Sequence, residues 1–351
     1  MAEIQNGLKV QTHWKRACDV FSRLLAALEK KESPYDKARF PQTDNIPSGI
    51  DGGSLEHALF LFVVCFWMRA GFNSDSCFEA LVRVFERRPD LFSPRMITPD
   101  HLDMVTEALQ GEGSLRYRAE ENARFWVLDL TKLNKYWGGD PRNIFKRVRT
   151  FEGICDRLVR KGGAVFNPDH PRGFLGFREK MASLLTHFFI DQGIIGQFVI
   201  PPPIDFHAMR ILVATEILTT SGVEVGSRIS FGKLADAARN VTDRYCSEHG
   251  YRSSVPLCDA LWTLSRSFCN RHPGNDSIIG ESNGRKTEVF PREFSWEHGG
   301  TAIKAYENTC LRCPIEGFCK NSVPWANYRH TGDIIIRGRR GRPPQVQPRL
   351  F

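Results

Sequence analysis

FLGFREKMASLLTHFF, residues 174–189, decides the reading of the middle of the chain. Met181, Leu184, Leu185, Phe188 and Phe189 recur at the spacing of one helical face, which predicts a helix beginning near Lys180. Gly176 stands just ahead of it, where a tight turn leads into the helix. The backbone N–H groups of such a turn are free to bind an anion, and the helix dipole favours a phosphate there. A second stretch, PPPIDFHAMRILVATEIL at 201–218, follows. Its three prolines stiffen the approach, and Asp205 takes the N-cap position of a helix with Ala208, Ile211, Leu212, Thr215 and Leu218 on one side.

Outward from these segments the chain reads as all-α. Residues 12–31 form an amphipathic pattern through Trp14, Val20, Phe21, Leu24, Leu25 and Leu28. Residues 33–53, rich in Pro, Gly, Asp and Ser, read as a connecting loop. From Ser54 to about Phe189 helix follows helix with short polar breaks, and a second helical stretch is expected from about Phe206 to Phe268. Strand-like alternation is nearly absent, and no internal repeat is found. Residues 270–309 look irregular, and the tail from about 330 has too few apolar residues to pack, so flexibility is expected there.

The chain has 351 residues, enough for two domains, with 41% hydrophobic and 25% charged residues, ordinary for a soluble protein. The opening MAEIQNGLKVQTHWKR has no apolar signal region, so no secretory signal is expected. The run ALFLFVVCFWM, residues 58–68, is too short to span a bilayer and reads as a core helix. A net charge of +8 favours a polyanionic partner. Ten cysteines without a signal suggest a reducing compartment, where clustered thiols act as metal or cluster ligands rather than disulfides. Such a cluster is CLRCPIEGFC, residues 310–319, in which Cys310, Cys313 and Cys319 are one ligand short of a closed tetrahedral site.

In the order of these motifs the sequence resembles the helix-hairpin-helix DNA glycosylase superfamily, and more closely its iron–sulfur, endonuclease III-like branch. Gly176, Lys180 and Ala182 match the family's G-x-x-x-K-x-A hairpin, and Asp205, His207 and Arg210 match its D-x-H-x-x-R motif. Residues 116–145 look like the helix leading to the hairpin, and 260–269 like the helix that delivers the first cluster cysteine. The resemblance covers roughly residues 55–321 and implies a two-domain all-α fold. Residues 1–54 would be an extension whose helix joins the cluster domain, and 55–205 a six-helix domain carrying the hairpin. Residues 206–325 would be an iron–sulfur domain with an inserted loop at 270–309, and 326–351 a flexible basic tail.

It further implies excision of a modified base from duplex DNA after base flipping. Lys180 would be the amine nucleophile, with a lowered pKa, and Asp205 would stabilise positive charge on the sugar. Gly176, Arg178, His207 and Arg210 would be DNA-facing, although His207 and Arg210 read equally as structural. A solvated first-turn lysine and a plain helix cap are the simpler readings of Lys180 and Asp205. The expected protein is a monomeric, DNA-associated intracellular enzyme without a membrane partner.

The departures are specific. Arg178 replaces the hairpin's second glycine, Leu175 replaces its proline, and the segment between Lys180 and Asp205 is longer than usual. The family's spacing would put the first cluster cysteine at Ile303, so Cys269 becomes the expected first ligand across a 40-residue insertion, with Cys258 its runner-up. Cys18, Cys65, Cys77, Cys155 and Cys246 read as core or incidental thiols. Four thiolates suit a 4Fe–4S cluster or zinc; the resemblance favours the cluster. In the tail, Arg340 and Arg342 flank Gly341 in an AT-hook-like core, which reads equally as a generic basic tail. A non-catalytic nucleic-acid-binding protein and an RNA- or nucleoside-modifying enzyme are the alternative functions.

Overall fold

The computed structural model describes residues 9–68, 74–160, 165–221, 228–269, 278–282, 285–289, 310–319, 325–327 and 333–335. The chain divides into two compact units. One draws on residues up to Ala38, on Ile204–His249 and on the chain from Pro256 onward; the other comprises Arg39–Pro203 and Gly250–Val255. They are called here the split unit and the central unit. Both are mostly helical among the described residues.

The central unit holds α2 (Pro41–Asp44), α3 (Leu55–Trp67), α4 (Ser74–Arg87), α5 (Leu102–Gln110), α6 (Ala119–Trp137), α7 (Phe151–Leu158) and α8 (Glu179–Asp191). Helix α3 is apolar on every side, and a helix of that composition is stable only when enclosed. Every residue from His57 to Trp67 is buried. Ser54 starts the helix by accepting a hydrogen bond from the His57 N–H at 3.1 Å. Around it close Phe78 and Leu81 of α4, Trp126 and Leu130 of α6, and Met181, Leu185 and Phe188 of α8. The Trp126 indole N–H donates to the Leu91 carbonyl at 2.8 Å, so the large ring is buried without an orphaned donor.

The split unit begins with strand β1 (Lys9–Thr12) and helix α1 (Trp14–Glu29), the amphipathic pattern of the sequence. Its helix α9 (Phe206–Ala214) leads to strand β2 (Leu218–Ser221), which pairs antiparallel with β1, Lys9 opposite Ser221 and Thr12 opposite Leu218. Helices α10 (Phe231–Glu248) and α11 (Val255–Thr263) follow strand β3 (Arg228–Ser230). The apolar face of α1 meets α10 through Phe21 and Tyr245, whose rings are 5.1 Å apart, and through a Ser22–Tyr245 hydroxyl bond of 2.9 Å.

Strands correct the sequence reading in three places. The expected helical stretch 206–268 is broken after Ala214, where Glu216 adopts a left-handed φ of 58° and Leu218 enters β2 instead of a helix face. Thr219 and Thr220 are β-branched and find a partner strand in β1, a long-range pairing that local spacing does not report. The supposedly irregular insertion contains a hairpin of β4 (Ile278–Ser282) and β5 (Arg285–Val289). Asn283-Gly284 between them in sequence is a strong hairpin signal. Strand β7 (Asp333–Ile335) of the tail pairs with β6 (Trp325–Asn327) just before it and with β3. The Ile334-Ile335 pair supplies strand propensity that the surrounding Gly and Arg obscured.

Candidate functional site

In the central unit the turn before α8 is fixed from three sides. Backbone N–H groups of Gly173 and Phe174 donate to the carbonyls of Arg157 and Leu158, both at 2.9 Å, and so join the turn to the end of α7. Phe174 and Phe177 insert toward α3, with ring centroids 5.5 and 5.3 Å from that of Phe62. Gly176 between them has φ of 74°, and a Cβ there would lie 2.8 Å from the Phe66 Cβ. The residue therefore supplies both a left-handed conformation and a close approach to α3, for which only glycine is suited.

The third support comes from α6. Asp129, fully buried, accepts the Leu175 N–H at 2.8 Å. One turn along, the Lys132 ammonium donates to the carbonyls of Gly173 at 2.6 Å and Arg172 at 3.2 Å and lies 4.1 Å from the Phe166 ring centroid. Burial pushes the Asp129 carboxyl well above its ordinary pKa, against the pull of the Leu175 N–H and Lys132. Burial lowers that of Lys132, against the attraction of Asp129. The sequence reading missed both residues. Their signal is a pair of charges three positions apart on a helical face that also carries Trp126, Leu130 and Leu133.

The helix start prepared by this turn carries two of the expected residues. Arg178 is the N-cap of α8, in extended conformation, exposed, and without a side-chain capping bond. Lys180, the second helical residue, is half-buried, and among the described residues of its own unit no carboxylate pairs with it. It lies close enough to Cys65 to oppose electrostatically the burial that holds that thiol well above its ordinary pKa. The Cys65 thiol itself donates to the Met181 carbonyl at 3.3 Å, which fixes this first turn against α3.

Asp205 lies in the split unit, at the N-cap of α9. Its Oδ1 accepts the Ala208 N–H at 3.0 Å, and among the described residues its Oδ2 has no protein donor. His207 Nδ1 lies 3.2 Å from the Ser265 hydroxyl, and the Arg210 guanidinium reaches the same hydroxyl at 3.5 Å. Arg210 is only 3% exposed, and of its two open readings burial supports the structural one. Ser265 belongs to a π-helical turn, Leu264–Phe268, that widens the end of α11 and closes on Cys269. Single π-helical turns of this kind are rare and frequent at functional sites.

The cysteine loop belongs to the split unit too. It consists of two 3-10 turns, Cys310–Arg312 and Glu316–Phe318, around a buried Ile315. The Phe318 ring lies 5.9 and 6.0 Å from the guanidinium carbons of Arg16 and Arg23, which seats the loop on α1. The buried Tyr35 hydroxyl donates to the Ala260 carbonyl of α11 at 3.0 Å, and Tyr35 also feels the charge of Cys313. Cys269, Cys313 and Cys319 are half-buried and form no disulfide. Cys65, Cys77 and Cys246 are buried, whereas Cys18, Cys155 and Cys258 are half-buried. The Cys310 side chain, Arg340 and Arg342 lie outside the described residues. Compared with protein-family models and with curated proteins, the chain matches none.

Proposed function

We propose that this protein is a DNA glycosylase with abasic-site lyase activity. The observation that carries the reading is the turn at Gly173–Gly176, held by α3, α6 and α7, with Arg178 and Lys180 at the helix start that follows it. So rigid a support beneath a helix start suits an exposed side chain, that of Arg178, which must meet a polyanion in one fixed position. In the proposed chemistry the Lys180 amine attacks the sugar C1′ of a flipped nucleotide and the base departs with the bonding electrons and a proton. The C1′–O4′ bond then opens as the amine's second proton passes to O4′, and the resulting imine retains the sugar on the enzyme. The Asp205 carboxylate, at the N-cap of α9, keeps an Oδ2 that no described residue occupies, as an electrostatic role would require.

Cys269, Cys310, Cys313 and Cys319 would make an all-thiol donor set that fits a 4Fe–4S cluster or zinc, and Cys269, Cys313 and Cys319 are half-buried and engaged in no disulfide. Such a group would brace the loop seated on α1. The test is reduction with borohydride in the presence of abasic-site duplex. The parent is expected to form a covalent complex, and Lys180→Ala to form none. Trapping of Lys180→Ala at the parental level would overturn the nucleophile. Duplex binding without any trapping would favour a non-catalytic binding protein instead.

A further inference from the structure

The turn that precedes α7 carries a run of cations, Lys146-Arg147-Val148-Arg149, that the proposed chemistry does not use. Lys146, Arg147 and Arg149 are all exposed. Arg147 has a left-handed φ of 59°, uncommon for a side chain of its size. The carbonyls of this turn are already occupied by guanidinium groups. Arg149 donates to those of Phe145 at 3.1 Å and Val148 at 2.8 Å, while Arg157 donates to those of Ile144 at 2.6 Å and Lys146 at 2.9 Å. Each guanidinium also stands against a ring, Arg149 at 5.2 Å from the Phe198 centroid and Arg157 at 5.5 Å from that of Trp137. Oxygens that would repel an anion are thereby neutralised from within. The outer surface is left to Lys146 and Arg147, for which no described residue provides an ion pair. Glu152, exposed in the first turn of α7, is the nearest acid in sequence.

We propose that the Lys146–Arg149 turn is a second phosphate-contact site for duplex DNA, distinct from the Gly176 turn. The inference rests on the reading of this chain as a DNA-binding enzyme and adds to it where the backbone is held. Exposed cations at successive positions of a turn offer separate contacts rather than one enclosed pocket for a small anion. They suit successive phosphates of a strand, each met by its own cation. The left-handed Arg147 and the inward-turned Arg149 and Arg157 are then explained together, as a scaffold that keeps the turn cationic on its outer side.

The test compares the full chain with a Lys146→Ala/Arg147→Gly variant on an unmodified duplex, with affinity followed from about 50 to 200 mM salt. Glycine relieves the left-handed residue, so the melting midpoint should not fall and a lost contact cannot be mistaken for unfolding. The control is Lys30→Ala/Lys31→Gly, which removes two charges at another exposed left-handed site, Lys31 having φ of 52°. Two phosphate contacts correspond to a drop of about 1.8 in the salt slope, and to a loss about tenfold larger at the low-salt end than at the high-salt end. The control should keep the parental slope. An unchanged slope in the Lys146/Arg147 variant would overturn the proposal, as would an equal drop in the control, which would indicate only the general field of a basic protein. If the parent is trapped on abasic DNA and the variant keeps its slope, this site alone falls. If the slope drops but nothing is trapped, the glycosylase reading alone falls. A parent that binds no duplex ends both.

Discussion

Asp129 is a carboxyl with one oxygen bonded to the Leu175 N–H and the other buried without a partner. An ionised group so enclosed is costly, and burial shifts it toward its neutral form. A carboxyl with a raised folded pKa keeps its proton longer than the same group in the unfolded chain. Above the ordinary value of 3.8 the unfolded chain binds fewer protons, so the stability owed to Asp129 is full below that pH and is lost as pH rises toward the folded pKa. Asp129→Asn keeps an oxygen for Leu175 and removes the titration. Its melting midpoint at neutral pH should equal or exceed the parent's, and the decline with rising pH should be shallower. Asp129→Ala orphans a buried N–H and should cost about 1–3 kcal/mol. If the Asn variant is as damaged as the Ala variant across the pH range, the native group is ionised and paired with Lys132. At this scale the turn at Gly176 and the helix start beside Lys180 were legible from their spacing. Asp129 and Lys132 were not, because what they hold lies more than 40 residues away in the chain.

Among the elements, helix starts were easier to read than strands, for a physical reason. A cap is a local contract between one side chain and an N–H three residues on, and Asp205 fulfils it with Ala208 at 3.0 Å. The start expected near Lys180 falls at Glu179 for the same reason: the apolar stripe and the glycine are both local. Strand β2 depends on Lys9–Thr12, some two hundred residues earlier, and its Leu218 fitted a helical face equally well until that partner was in view. The cap also permits a separation of roles in α9. Asparagine caps nearly as well as aspartate, so Asp205→Asn should shift stability by only a few tenths of a kcal/mol, whereas Asp205→Ala should cost about 1 kcal/mol. If the carboxylate takes part in the proposed chemistry, both variants should lose base excision to a similar degree. An Asn variant with parental excision would reduce Asp205 to a helix cap.

At the scale of the whole molecule the split unit gathers segments that are far apart in sequence. Residues up to Ala38 fold with Ile204–His249 and with the chain from Pro256 onward. Composition and spacing could not announce that α1 would carry a seat for the cysteine loop, since the contact is one aromatic ring, Phe318, against Arg16 and Arg23. The same long-range logic governs the fourth thiol. If Cys269 completes the donor set of Cys310, Cys313 and Cys319, a substitution 41 positions before Cys310 must remove the bound group as completely as one inside the loop. Cys269→Ser and Cys313→Ser are therefore expected to lose iron, acid-labile sulfide and visible absorbance together. Cys258→Ser, at the competing position on α11, should retain all three. Stoichiometric zinc in colourless parent protein would replace the cluster with a zinc site but leave the same ligand test in force. Loss of the group from Cys258→Ser and not from Cys269→Ser would move the fourth ligand back along α11, to the helix before its π-helical turn rather than to the residue that ends it.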